Sequence, residues 1–398
     1  MTQSRAALAA RLKARREELG LTQAHVADAL GLHRPAVSEI EAGRRSVSSE
    51  ELFRLAGLYV VSIGELLSDA GPRPADVLNA VFRGQGPDTV RGRLALARFI
   101  ERCREERELE VLLGIEPALP LRPGYRLDLP AARGAAIQQG EWVANEERRR
   151  LGLGEEPIRN PLELLARQGI RIGQIEGVDG AELDGVYFET AELGPCVGVN
   201  PGTDKGLGFR AAFTAAHEYA HWLVADVQAE SFHFGSAATT DLREVRANAF
   251  AAAFLLPADG LKKYFQASGL LAGHRIVHLG QADVVRAMFY FGVSKPALIF
   301  RLINTRLIEQ GLGEKLRVED VQIAATAKAL EIPLRAETEF LHNRRKMLAL
   351  EAWRRGLLST NRAAELCDRP LEEFRAWAKS LGFEQEYADD DIVVGTAG

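Results

Sequence analysis

In the stretch TAAHEYAHWLVAD, residues 214–226, His217 and His221 stand four residues apart and Glu218 follows the first. A four-residue step turns an α-helix by about 400°, so both imidazoles project from one face, one turn apart. Two ring nitrogens so placed can meet one divalent ion. Zinc suits nitrogen and oxygen donors in a four-coordinate site, and manganese is the alternative. Glu218 lies about 100° round the helix from His217, outside the ligand shell but in reach of a water at the ion. It is therefore the candidate general base for attack on a peptide carbonyl. Phe213, Ala215, Ala216, Ala220, Trp222 and Leu223 make the rest of the helix apolar, and a dry surround strengthens the ion's polarising effect. The competing reading is a core helix with two satisfied histidines and an exposed glutamate.

Catalytic zinc takes three protein ligands and keeps one position open. The best downstream source of the third is TTDLREVRANAFAAAFLLP, residues 239–257, an amphipathic helix that Asp241 would cap and Pro257 would end. Glu244 on that helix is favoured because a helix fixes a ligand better than a loop does. Asn248 and Ala251 continue its face with small or polar groups that permit close approach. Asp241 is the rival carboxylate and His233, on the intervening loop, the rival imidazole. His274 and His278 share the four-residue spacing in AGHRIVHLG, but no glutamate follows His274 and glycines flank the pair. They read as surface or packing residues.

The elements that must hold these side chains are legible upstream. NPLELLARQ reads as a helix, and GIRIG, LDGVYFE and GPCVGVN as strands bounded by Gly, Pro or Asp. The histidine-bearing helix then begins near Gly208. A small sheet followed by a buried helix is an α+β arrangement. Taken together, the strand ending PCVGVN, the helix FTAAHEYAHWL and the segment EVRANAFAAAFLLP resemble the ImmA/IrrE family of bacterial metallopeptidases over roughly residues 155–305. The resemblance implies a zincin-like fold with His217, His221 and Glu244 as zinc ligands and Glu218 as general base. It also implies a substrate class: members of that family cut helix-turn-helix repressors to derepress stress-response or mobile-element genes.

The first seventy residues have a different pattern. Short helical segments close at Gly20, Gly31 and Gly43, and a last one runs through SSEELFRLAGLYVVSIGELL. Thr22 can cap the helix that starts at Gln23, and the two short helices around Gly31-Leu32 have the length and turn of a helix-turn-helix. LTQAHVADALGLHRPAVSEIEAGRR resembles the Cro/C1-type (XRE) repressor domain. That resemblance implies a reading helix of about His33 to Glu41 in the major groove of double-stranded DNA, with Gln23, Arg34, Ser38, Arg44 and Arg45 facing it. Dimerisation or protein contact is the rival use of such a domain, and a homodimer is expected in either case.

Composition bounds the remainder. With 398 residues, 46 % hydrophobic and 26 % charged, the chain is an ordinary globular protein of two or three domains. No apolar run reaches the roughly 18 residues of a transmembrane helix and the N-terminus has no signal-peptide core, so a cytoplasmic protein is expected. The net charge of −5 excludes a wholly basic nucleic-acid coat but not one DNA-reading domain. Cys103, Cys196 and Cys367 show no CxxC spacing, which argues against a disulfide framework or a thiolate metal site.

Prolines mark two linkers, DAGPRPAD (69–76) and EPALPLRPGYRLDLP (116–130). Between them lies a helix ending in RFIERCREERELEVLL, which reads as a solvated face. The expected domains are 1–70 for DNA binding, 71–130 for a helical segment and linker, 131–310 for the metallopeptidase and 311–398 for a helical C-terminal domain. In the last, residues 337–358 form a helix with basic Arg344, Arg345, Lys346, Arg354 and Arg355, a pointer to single-stranded DNA as activator. Two short helices surround Cys367-Asp368-Arg369-Pro370, and the end, YADDDIVVGTAG, reads as a loose tail. The combined reading is a DNA-binding zinc peptidase that relieves repression by cutting a repressor or its own chain, through an exposed linker. A non-catalytic regulator sensing metal or a ligand at the same site is the alternative.

Overall fold

The computed structural model describes residues 2–68, 89–116, 122–178, 183–200, 209–225, 232–234, 241–318, 322–333 and 339–385. Linker 69–76, the start of the following helix and the tail from Tyr387 lie outside these residues.

The N-terminal unit is five helices: α1 (Thr2–Glu18), α2 (Gln23–Leu30), α3 (Arg34–Glu41), α4 (Ser49–Tyr59) and α5 (Ile63–Leu67). Thr22 caps α2 as expected, accepting from the His25 N–H at 3.2 Å, and Gly31 ends it at φ 69°. The apolar run at 48–67 is two helices instead of one segment. Val60 takes φ 53°, and the Ser62 hydroxyl accepts from the Glu65 N–H to start a new helix. Positive φ is unfavourable for a β-branched residue. Buried Arg15 holds the turn by donating to the Tyr59 and Val60 carbonyls at 3.0 and 3.2 Å.

Helix α6 (Val90–Leu112) departs from the expectation of a solvated face. Leu96, Phe99 and Ile100 are fully buried and join one apolar cluster to the N-terminal residues Leu19, Val26 and Leu66 on one side and to Ile175, Val186, Phe188 and Cys196 on the other. The latter four belong to or flank a sheet of β1 (Arg171–Gln174), β2 (Gly185–Thr190), β3 (Gly194–Val199) and β4 (Phe232–Phe234), in the order β1-β3-β2-β4. Strand β1 runs parallel to β3, with Arg171 opposite Cys196, and β2 pairs antiparallel with β3 and with β4. Side chains alternate across the sheet: Val186 and Phe188 face α6, while Tyr187 faces the second core. Phe99 sits on a floor of glycines, where a Cβ on Gly173 or Gly198 would come within 2.7 or 2.8 Å of its ring.

Against the other face pack α7 (Arg133–Arg150), α8 (Pro161–Arg167), α9 (Phe209–Val224) and α10 (Leu242–Leu255). Beyond them come α11 (Ala258–Ala267), a β5–β6 hairpin (Leu271–Ala272, Arg275–Ile276), α12 (Gln281–Phe291), α13 (Lys295–Asn304), α14 (Gln310–Val318) and α15 (Ile323–Ala329). Helices α7 and α10 approach so closely at Gly140 that a Cβ there would lie 2.3 Å from the Arg246 carbonyl oxygen. The architecture is mainly helical with a small mixed sheet, as the α+β expectation had it.

Residues 122–130 correct the second linker. They are irregular, with Gly124 at φ 69°, but docked: Arg122 pairs with Glu189 and stacks over Trp222, and the Tyr125 hydroxyl donates to buried Glu147 at 2.9 Å. The Asp128 carbonyl accepts from Gln139 and Arg246. Proline density announces irregular backbone; it says nothing of what that backbone lies against.

Helices α16 (Glu339–Arg354), α17 (Thr360–Leu366) and α18 (Leu371–Ser380) build a third core around Trp353 and Phe374, which Leu109 of α6 enters. The basic residues of α16, and Arg355 just after it, are engaged in ion pairs. Arg344 meets Glu106 and Glu110, Arg345 meets Glu105 and Asp368, Lys346 meets Asp368, and Arg354 and Arg355 both meet Glu351. Burial raises the Glu110 carboxyl, but Arg171 and Arg344 outweigh it and hold the group below the usual carboxylate range. No described helix is long and apolar enough to cross a membrane. The three cysteines are buried and unbridged.

Candidate metal centre

Helix α9 is buried from Phe209 to Leu223 on nearly every side, which follows from its alanine-rich sequence packed between the sheet and α10. His217, Glu218 and His221 are 7 %, 0 % and 1 % exposed, and Glu244 on α10 is 4 % exposed. A buried Glu218 removes the reading in which that residue faced solvent.

The donor atoms converge. His217 Nε2 is 3.2 Å from His221 Nε2 and 3.2 Å from Glu244 Oε2, and His221 Nε2 is 3.4 Å from Glu244 Oε1. A tetrahedral ion with bonds of about 2.0–2.1 Å sets its donors about 3.3–3.4 Å apart, and the separations here, to one or the other Glu244 oxygen, are of that size. His217, His221 and Glu244 are also the one group among the described residues that could hold a metal ion with three ligands. The set of two imidazoles and one carboxylate fits a borderline ion such as zinc.

The alternatives fall elsewhere. Asp241 caps α10, its carboxylate accepting from the Arg243 N–H at 2.8 Å. His233 sits on β4 opposite Tyr187, with its side chain outside the described atoms. His274 and His278 are exposed, in and just after the β5–β6 hairpin and not on a helix, and His278 has φ 58°.

Two contributors were missed from the sequence. Asn248 stands one turn after Glu244, and its Oδ1 lies 3.1 Å from His217 Nδ1. With Nδ1–H donating there, the Nε2 lone pair points to the Glu244 side. The sequence placed Asn248 on this face without giving it that role. The second is Gly185, the first residue of β2: a Cβ there would lie 2.4 Å from Thr214 Cγ2 and 2.9 Å from Glu218 Oε1. The strand comes this close to Glu218 because position 185 has no side chain.

Beside that contact Asp184 pairs with Arg210 at 2.7 Å. Burial pushes the Asp184 carboxyl up, Arg210 pulls it back and the Glu218 charge adds to the rise. Behind α9, the Tyr219 hydroxyl donates to Glu147, which Arg150 also holds. This fixes the side of α9 opposite the histidines.

In the N-terminal unit α3 spans the expected reading helix, with His33 as its N-cap. Arg34 and Arg44 are exposed, while Gln23, Ser38 and Arg45 are half-buried. Gln23 donates to Glu41 at 2.9 Å and Arg45 to Glu51 at 2.6 Å. Both are therefore oriented from within the domain.

No curated protein and no solved structure matches the chain. Residues 12–66 match the family model described as Helix-turn-helix, which covers α2 and α3. Residues 166–302 match the one described as IrrE N-terminal-like domain, which covers the sheet, His217, Glu218, His221 and Glu244. Over these two stretches, in this order, the chain is thus similar to Cro/C1-type helix-turn-helix domains and to the ImmA/IrrE family.

Proposed function

We propose that the protein is a DNA-binding, zinc-dependent metallopeptidase that regulates transcription by cutting a repressor or its own chain. The observation that carries the reading is the convergence of His217, His221 and Glu244, with Glu218 buried beside the first histidine. When bound, the ion supplies Lewis-acid polarisation of the scissile carbonyl and of the attacking water. Glu218 takes the water's proton on its carboxylate and passes it to the leaving amine, as general base and then acid. Asn248 holds the His217 ring, Gly185 leaves room for Glu218, and the apolar packing around α9 excludes bulk water. Gln23, Arg34, Ser38, Arg44 and Arg45 contact duplex DNA in this reading, a homodimer would read two half-sites, and single-stranded DNA is the candidate activator.

The test is metal analysis of the purified chain with zinc or manganese, followed by mass spectrometry of fragments with and without duplex and single-stranded DNA. Glu218→Gln should retain zinc and lose cleavage. If the parent chain and an added helix-turn-helix repressor both stay uncut in every condition, the peptidase reading is overturned.

One observation favours a second reading, a non-catalytic sensor. Helix α6 shares one apolar cluster with the DNA-binding unit and with the sheet that flanks the metal centre. Metal at the site would then change DNA affinity without a cut, and operator release by the Glu218→Gln protein on zinc addition would select it.

A further inference from the structure

Glu147 of α7 is fully buried, and its carboxylate accepts from side chains of three different segments. These are the Tyr125 hydroxyl at 2.9 Å, the Tyr219 hydroxyl of α9, and the Arg150 guanidinium at the end of α7 at 2.6 and 2.9 Å. A buried carboxylate that loses such a donor keeps the cost of its burial, so each donor is held firmly. Glu147 thus ties the segment at 122–128 to the helix that carries His217, Glu218 and His221.

The same segment meets the backs of both site helices elsewhere. Arg122 lies over the ring of Trp222, the residue after His221, 5.7 Å from its centroid. The Asp128 carbonyl accepts at 3.4 Å from Arg246, two residues after Glu244. Tyr219, Trp222 and Arg246 neighbour the candidate ligands in sequence but leave their helices on other sides, because each residue turns a helix by about 100°. Tyr219 also packs on Phe250 of α10, ring centroids 6.1 Å apart. These contacts lie on the sides turned away from the metal donors. They set how α9 and α10 lie against each other, and with that how far His217 and His221 stand from Glu244.

We infer that residues 122–128 are a brace for the metal centre, with Tyr125 and Glu147 as positioning residues that act on the ligands through Tyr219. The inference rests on the metal site proposed above. A braced pair of helices meets the ion with its donors already at bonding separations, so less of the binding energy goes into moving them. Loosening the brace lets α9 and α10 part and weakens the ion without touching a ligand.

The test is zinc affinity of the full-length chain, by chelator competition well below its Tm. Tyr125→Phe removes one hydroxyl and keeps the ring; it should weaken zinc about threefold to tenfold, the worth of one hydrogen bond. Tyr219→Phe should weaken it as well, and in that background Tyr125→Phe should add little, because both act through one carboxylate. Phe374→Leu, in the separate C-terminal core, lowers stability without touching the brace and should bind zinc as the parent chain does. Unchanged affinity in Tyr125→Phe, additive losses in the double variant, or an equal loss in Phe374→Leu overturns the brace. Zinc held by a parent chain that cuts nothing removes the peptidase reading and leaves the brace standing. If the parent chain binds no zinc, the metal reading falls, and amide exchange at 217–222 decides the brace: faster exchange in Tyr125→Phe keeps it, equal exchange overturns it.

Discussion

The Oδ1 of Asn248 lies 3.1 Å from Nδ1 of His217, and Asn248 shares its helix face with Glu244 one turn earlier. One helix, α10, therefore supplies a candidate ligand and also the group that orients another. Removing the orienting group should weaken the ion while leaving the three donors in place. Asn248→Ala is expected to lower zinc affinity by about 10–100-fold, measured by chelator competition. Asn248→Asp should retain most of it. Equal affinity in the alanine variant would show that His217 needs no partner.

Gly185→Ala places a Cβ against Thr214 and Glu218. Overpacking of this kind costs about 1–3 kcal/mol, read as a lowered denaturant midpoint. Zinc content should hold, because Gly185 does not touch the histidines in the contacts that a Cβ there would meet. Peptide hydrolysis should fall more than stability does.

Phe99→Ala tests the joint between DNA-binding unit and sheet. The ring is 1 % exposed over Gly173 and Gly198, and truncation of a buried Phe costs about 3–5 kcal/mol. If α6 couples the units, calorimetry should show one transition in the parent chain and two in the variant. A single shifted transition would mean that the remaining cluster suffices.

The Glu51 carboxyl is held below the usual range, first by its hydrogen bond from Arg45, against burial, with the Ser48 N–H assisting. A carboxyl lowered in the folded state adds stability above its unfolded pKa of about 4.3, and that stability is lost as pH falls through the lower folded value. Acid unfolding of the N-terminal unit should therefore start below about pH 4. Glu51→Gln should make the unit less stable at neutral pH and less sensitive to that acid step. The same variant loosens Arg45, so duplex-DNA affinity and its salt slope report whether that side chain meets phosphate.

What was legible in the sequence follows from locality. His217 and His221 are one turn apart whatever surrounds the helix, and Thr22, Gly31 and Asp241 cap their helices through neighbours within a few residues. Glu244 was favoured over Asp241 and His233 by an argument about helices, and the structure brings it to the two imidazoles. Residues 122–130 were misjudged because prolines report backbone irregularity alone. RFIERCREERELEVLL looked solvated because its partners, Arg171, Arg344, Arg345 and Arg362, come from segments far along the chain. The basic surface of α16 was paired away by the same carboxylates and by Glu351 and Asp368.

The amino-acid order alone set the spacing of the two histidines, the helix and strand periods and the glycine stops, because these depend on bonds and rotations within a turn or two. Which carboxylate meets the two imidazoles, what lies against Gly185 and where the proline-rich segment docks were decided only by tertiary packing. Those contacts depend on how distant apolar faces meet, and no local pattern encodes the register in which they do.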